Sequence, residues 1–166
     1  SVSQLGDGSK EYPLRVGMTC LRLVRDYVSV RNRSDCTTMF HLDSTHSMVI
    51  NGYLVFAFGY SDRGGYFYLL AYFCTSQKCA VDIGWCIRCI KRVCMDVCGV
   101  EFTPQFVMMD ADKAQFNACT TELQLSTVLM CWFHVLQNVW ESANEKGVGI
   151  DDIRTIFAEM HDMHYA

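Results

Sequence analysis

Three runs rich in aromatic and branched residues, at positions 38–43, 53–60 and 66–74, are separated by turn-forming residues. Asn51-Gly52 precedes the second run, and Ser61-Asp-Arg-Gly-Gly65 lies between the second and the third. Asn, Asp and Gly tolerate positive φ, which tight hairpins require, so the spacing predicts three antiparallel strands. A hairpin sheet with an apolar face must be covered, and the chain beyond residue 78 supplies the cover.

From 79 to 98 the period changes. Ile83, Cys86, Ile87, Ile90, Val93, Cys94 and Val97 recur at steps of three and four with Arg88, Lys91, Arg92 and Asp96 between them, which predicts an amphipathic helix ended by Gly99. After Pro104, the short apolar run Gln105-Phe-Val-Met-Met-Asp110 has the character of a buried parallel strand. A helix over 111–123, a strand over 127–133 and a helix over 134–146 come next, and Asp151 is placed to cap a last helix carrying Ile153, Ile156, Phe157 and Met160. Upstream, Cys20, Leu21, Val24, Tyr27 and Val28 predict a helix within 17–30 whose other face, with Arg22 and Arg25, is read as solvated.

Parallel returns need crossover helices, so the expected fold is α/β: a mixed sheet of three antiparallel strands and then parallel ones, flanked by helices. The expected organisation is a flexible tail over 1–14, one domain over 15–146, and a terminal helix or the start of a helical insertion over 147–166. A chain of 166 residues that is 51% hydrophobic and 19% charged suits one compact core.

Ten cysteines in a short secreted chain would suggest a disulfide scaffold, but these sit inside hydrophobic runs and no signal-peptide pattern opens the sequence. They are read as reduced, intracellular thiols. Apolar stretches break well before the roughly 18 residues a membrane span needs, so a soluble protein without a membrane partner is expected. A net charge of -4 gives no overall attraction to a phosphate backbone, so any nucleic-acid contact must rest on local patches or on other parts of a longer protein.

Two carboxylates stand out by position. Asp43 ends or nearly ends the first strand of the hairpin set, and Asp110 ends the fourth. Ligand sites gather at the carboxyl ends of strands in such sheets, and two aspartates there can share divalent cations of the kind that promote phosphoryl transfer. Aspartates end strands for turn reasons at least as often, so spacing alone does not decide. His41 and His46 flank Asp43 and are read as packing residues, and Asp112 as a first-turn helix acid. Cys86-Ile-Arg-Cys89 has a zinc-ligand spacing, yet Cys86 lies on the apolar helix face as a small hydrophobe, so zinc is not expected there. Cys131 and His134 supply two zinc donors, short of a closed site unless His161 or His164 joins them.

Three blocks carry a resemblance. His41-Leu-Asp43-Ser-Thr-His46 with the hairpin 51–65, then Pro104-Gln-Phe-Val-Met-Met-Asp110-Ala-Asp-Lys-Ala114 continuing to Ala118, then Cys131-Trp-Phe-His134-Val-Leu-Gln-Asn138 occur in order. Together, over about 38–141, they resemble the catalytic domain of Mutator-like (MULE) DNA transposases. The resemblance implies a ribonuclease-H-like fold, a DDE triad using Mg²⁺ or Mn²⁺, cleavage and strand transfer at transposon ends, assembly as dimers or larger, and a nuclear location. It makes Asp43 and Asp110 the first two metal ligands and Cys131 and His134 an accessory pair. In that family a helical insertion delays the third acid. Glu145 stands 145 − 110 = 35 positions after Asp110, a spacing familiar in other DDE enzymes, and Glu141 is nearby, but both are read first as solvated helix residues. The alternative that the resemblance leaves open is a domesticated relative, catalytically inactive and serving in DNA binding, regulation or protein interaction.

Overall fold

The structure is a computed structural model and describes residues 1–33, 37–45, 49 and 52–165, so Asn51 of the first turn and His46 lie outside the described residues. The chain divides into two compact units, Ser1–Leu129 and Met130–Ala166. The division falls ahead of the boundary at residue 146 expected from the sequence.

Strands β1 (Val2–Gln4), β2 (Arg15–Met18), β3 (Met39–Thr45), β4 (Leu54–Ser61), β5 (Phe67–Thr75), β6 (Phe106–Met109) and β7 (Thr127–Met130) form one mixed sheet in the order β1-β2-β5-β4-β3-β6-β7. Helices α1 (Leu21–Arg31), α2 (Ala80–Cys98) and α3 (Lys113–Glu122) flank it, and the mixed α/β class expected from the sequence holds. β3, β4 and β5 are successive antiparallel neighbours, while β6 joins the other side of β3 in parallel. Asp62 shapes the β4–β5 turn by accepting from Gly64 N at 2.9 Å, and Gly65 takes φ 76°.

Burial alternates along the strands as the pleat demands, placing Phe40 and Leu42 of β3 in the core with Phe56 and Phe58 of β4. Aromatic rings meet edge to face inside it, Phe40 against Phe102 at 4.9 Å and Tyr27 against Tyr60 at 5.2 Å. Gly99 stops α2 in the left-handed region at φ 66°, its N–H bonded to Met95 O. Arg22 and Arg25 of α1 are exposed, as a solvated face requires.

Two upstream expectations are corrected. The opening residues are not a loose tail: Val2–Gln4 pairs antiparallel with Arg15–Met18, and Gln77 Nε2 donates to Gly8 O at 2.7 Å. The predicted helix from 17 also starts late, because Gly17 and Met18 belong to β2, paired with Phe73 and Tyr72. The Phe73 ring lies where a Gly17 side chain would be, so glycine there permits close strand packing and is not a helix residue.

The second unit holds a helical hairpin, α4 (Trp132–Glu145) and α5 (Ile150–Tyr165), turned at Gly147 with φ 69°. Within it Trp132 stacks on His164 at 4.3 Å and Trp140 meets Phe157 at 6.3 Å. Asp151 lies inside the first turn of α5 and not at its cap. Among the described residues no helix is long and apolar enough to cross a membrane.

Candidate metal centre

The register of two strands brings the aspartates together. Leu42 of β3 pairs in parallel with Met109 of β6, so the next residues along each chain, Asp43 and Asp110, lie side by side on neighbouring strands about 4.8 Å apart. Asp43 is exposed, two residues before the end of β3, whereas Asp110 directly follows β6 and is only 8% exposed. Each offers a carboxylate oxygen, and the two oxygens lie within 4.8 Å of one another, close enough to hold a metal ion between them.

Asp110 is held by hydrogen bonds to one oxygen. Ser44 Oγ donates to Oδ2 at 2.6 Å, Ser44 N at 3.3 Å and Gln115 Nε2 at 2.7 Å. Beyond the last register pair, then, a side-chain oxygen stands where a ladder carbonyl would otherwise accept. Gln115 is fully buried in α3, and its Oε1 accepts from Asp110 N at 3.1 Å. Asp112 is the N-cap of α3, accepting from Ala114 N at 2.9 Å and Gln115 N at 3.0 Å, and it meets Lys78 Nζ at 3.2 Å. Its sequence reading as a first-turn acid becomes, more specifically, a capping role.

The donor pair suits a divalent cation. Two like charges a few ångströms apart repel unless a proton or a cation lies between them, and carboxylate oxygens are the donors that Mg²⁺ and Mn²⁺ select.

The remaining sequence candidates belong to other elements. Cys131, His134, Glu141 and Glu145 all belong to the second unit, and both aspartates belong to the first. Cys131 is the N-cap of α4 and His134 sits in its first turn. Glu145 is exposed near the end of α4, and it follows His134 by 145 − 134 = 11 residues, about 16 Å along a helix. Glu141 is likewise exposed and accepts from Gln137 Nε2 at 2.9 Å. Among the described residues no third carboxylate joins the aspartate pair.

In the first unit, His41 shares a 2.7 Å hydrogen bond with Ser61 Oγ and sets its ring edge on to Phe67, as a packing residue does. Burial pushes its imidazole below the ordinary value, with Asp43 acting in the opposite direction. Cys86 and Cys89 are buried, and burial pushes both thiols up, which favours the protonated form over a ligating thiolate.

Ser44 and Gln115 escape a reading of the sequence. Gln115 leaves one trace: it precedes Ala118 and Cys119 by three and four residues, on the buried face of α3, where an amide needs partners. Ser44 leaves none, because its contact depends on strand register.

Compared with models of known protein families, with curated proteins and with solved structures, the chain matches none.

Proposed function

We propose that this chain is the catalytic core of a DNA-cleaving and strand-transferring enzyme of the ribonuclease-H-like, Mutator-type transposase class, acting on DNA in the nucleus. One observation carries the reading: Asp43 and Asp110 leave adjacent parallel strands side by side, with carboxylates close enough to share a cation. The strand order supports it, since three consecutive antiparallel strands with a parallel strand added beside the first is the arrangement the resemblance implies.

Asp43 and Asp110 would hold the cations, Mg²⁺ or Mn²⁺. Cations there activate the attacking oxygen and stabilise the leaving one in phosphodiester chemistry. Asp43, exposed near the end of its strand, faces incoming substrate, while Asp110, buried and hydrogen-bonded, fixes the position of the centre. With a net charge of -4, DNA must be recruited through local contacts or other parts of a larger assembly, including further copies of the chain.

The lack of a third carboxylate among the described residues favours the second reading, a relative kept for DNA binding or protein interaction without catalysis, unless another acid completes the set. The test is a calorimetric Mn²⁺ titration of this chain and of the double variant Asp43→Ala, Asp110→Ala. Binding by the first and none by the second is expected. Equal binding, or none by either, would remove the metal-dependent reading and leave the non-catalytic one.

A further inference from the structure

We infer that Ser44 and Gln115 are positioning residues for Asp110, holding its carboxylate in place for a cation. This rests on the metal-dependent reading. Three donors converge on Oδ2: Ser44 Oγ at 2.6 Å, Gln115 Nε2 at 2.7 Å and Ser44 N at 3.3 Å. Gln115 also accepts from Asp110 N at 3.1 Å through Oε1, so a single amide grips both the main chain and the side chain of the same residue. That double contact fixes which end of the amide is which, because a peptide N–H can only donate.

The arrangement is built into the fold. Gln115 is completely buried, and a buried amide persists only when its polar atoms are matched; here Asp110 matches both ends, and Ser44 Oγ lies 3.4 Å from Nε2. Ser44 follows Asp43 on β3, while Gln115 sits in the first turn of α3 behind its Asp112 cap. The two residues therefore reference Asp110 to the strand that carries the other aspartate. A carboxylate pinned at one oxygen has lost the torsional freedom that metal binding would otherwise have to remove, so affinity is where the loss of these partners should appear. Gln115 is not a ligand in this scheme, since its carbonyl oxygen is already engaged by Asp110 N.

The experiment is a Mn²⁺ titration of the full chain by calorimetry, with the electron paramagnetic resonance signal of bound Mn²⁺ and the thermal midpoint of each metal-free variant recorded in parallel. Gln115→Met, similar in volume but without amide atoms, and Ser44→Ala should each weaken Mn²⁺ binding about 10- to 100-fold while remaining folded. Ser44→Thr, which keeps the hydroxyl, should restore affinity to near that of the parent chain. Should Gln115→Met fail to fold, the Ser44 pair decides alone. Parent-like affinity in folded Ser44→Ala, or no rescue by Ser44→Thr, overturns the positioning role while leaving the aspartate pair intact. Binding that survives Asp43→Ala with Asp110→Ala overturns the metal centre itself, and the positioning role with it.

Discussion

Cys119 is fully buried in α3, and burial pushes its thiol up to about 12; Cys94, buried in α2, is pushed up to about 11 by the same cause. Below the ordinary thiol value near 9 both folded and unfolded chains hold the proton, and stability does not depend on these groups. Above it the unfolded chain loses protons that the folded chain keeps, so stability falls with rising pH by up to about 1.4 kcal/mol per pH unit for each fully buried thiol. The denaturant midpoint should therefore be lower at about pH 10.5 than at about pH 8, and Cys119→Ala should make the difference smaller; an unchanged midpoint would mean the thiol is accessible. Tyr27, also raised by burial, acts in the same direction at still higher pH. Alkylation offers an independent reading at neutral pH: exposed Cys20 and Cys79 should react at once, Cys86, Cys94 and Cys119 only on unfolding. At this scale the aspartates are legible in the sequence, since they announce themselves by ending apolar runs. Ser44 is not, because its role exists only once β3 and β6 are in register.

β1, β2 and α2 are joined by one buried ion pair. Asp82, 1% exposed in the first turn of α2, accepts from Arg15 Nε of β2 at 2.8 Å, and Arg15 Nη1 donates to Gln4 of β1 at 2.8 Å. Asp82 Oδ2 has no hydrogen-bond partner among the described residues, so the carboxylate depends heavily on Arg15. Arg15→Met should cost about 3 to 5 kcal/mol by leaving a buried charge uncompensated, and adding Asp82→Leu should recover much of that loss in denaturant titrations. A small effect of Arg15→Met would show that water reaches the carboxylate. At the end of the same helix, no described atom lies within 4 Å of a side chain added at Gly99, so Gly99→Ala isolates the cost of the left-handed backbone, about 1 kcal/mol in thermal unfolding. This helix is legible from its period and its closing glycine, and the hairpins from their turn residues. β1 is not, because Val2-Ser-Gln4 carries a single apolar residue and owes its strand form to pairing with β2. β2 is lost in the pattern of α1 because four residues are too few to display a period of two. Glu145, read first as a solvated helix residue, is exposed at the end of α4.

The hydrophobic core that unites α1, α2, α3 and the sheet draws all its members from the first unit, from Val24 to Leu123, and the helical hairpin of the second unit buries Ala143 and Ile153 instead. Folding of the first unit should then be self-sufficient. A chain ending at Leu129 retains both aspartates, Ser44 and Gln115, and all of the α2–α3 contacts, including the Arg88–Glu122 ion pair and the Lys91 bond to Glu122 O. It is expected to unfold in a single cooperative thermal transition and to keep measurable Mn²⁺ binding, because the two carboxylates are set by the β3–β6 register within that unit. If the shortened chain has no cooperative transition, the core is not independent of the helical hairpin. If it folds and Mn²⁺ binding vanishes, the aspartate pair set by that register does not by itself hold the cation.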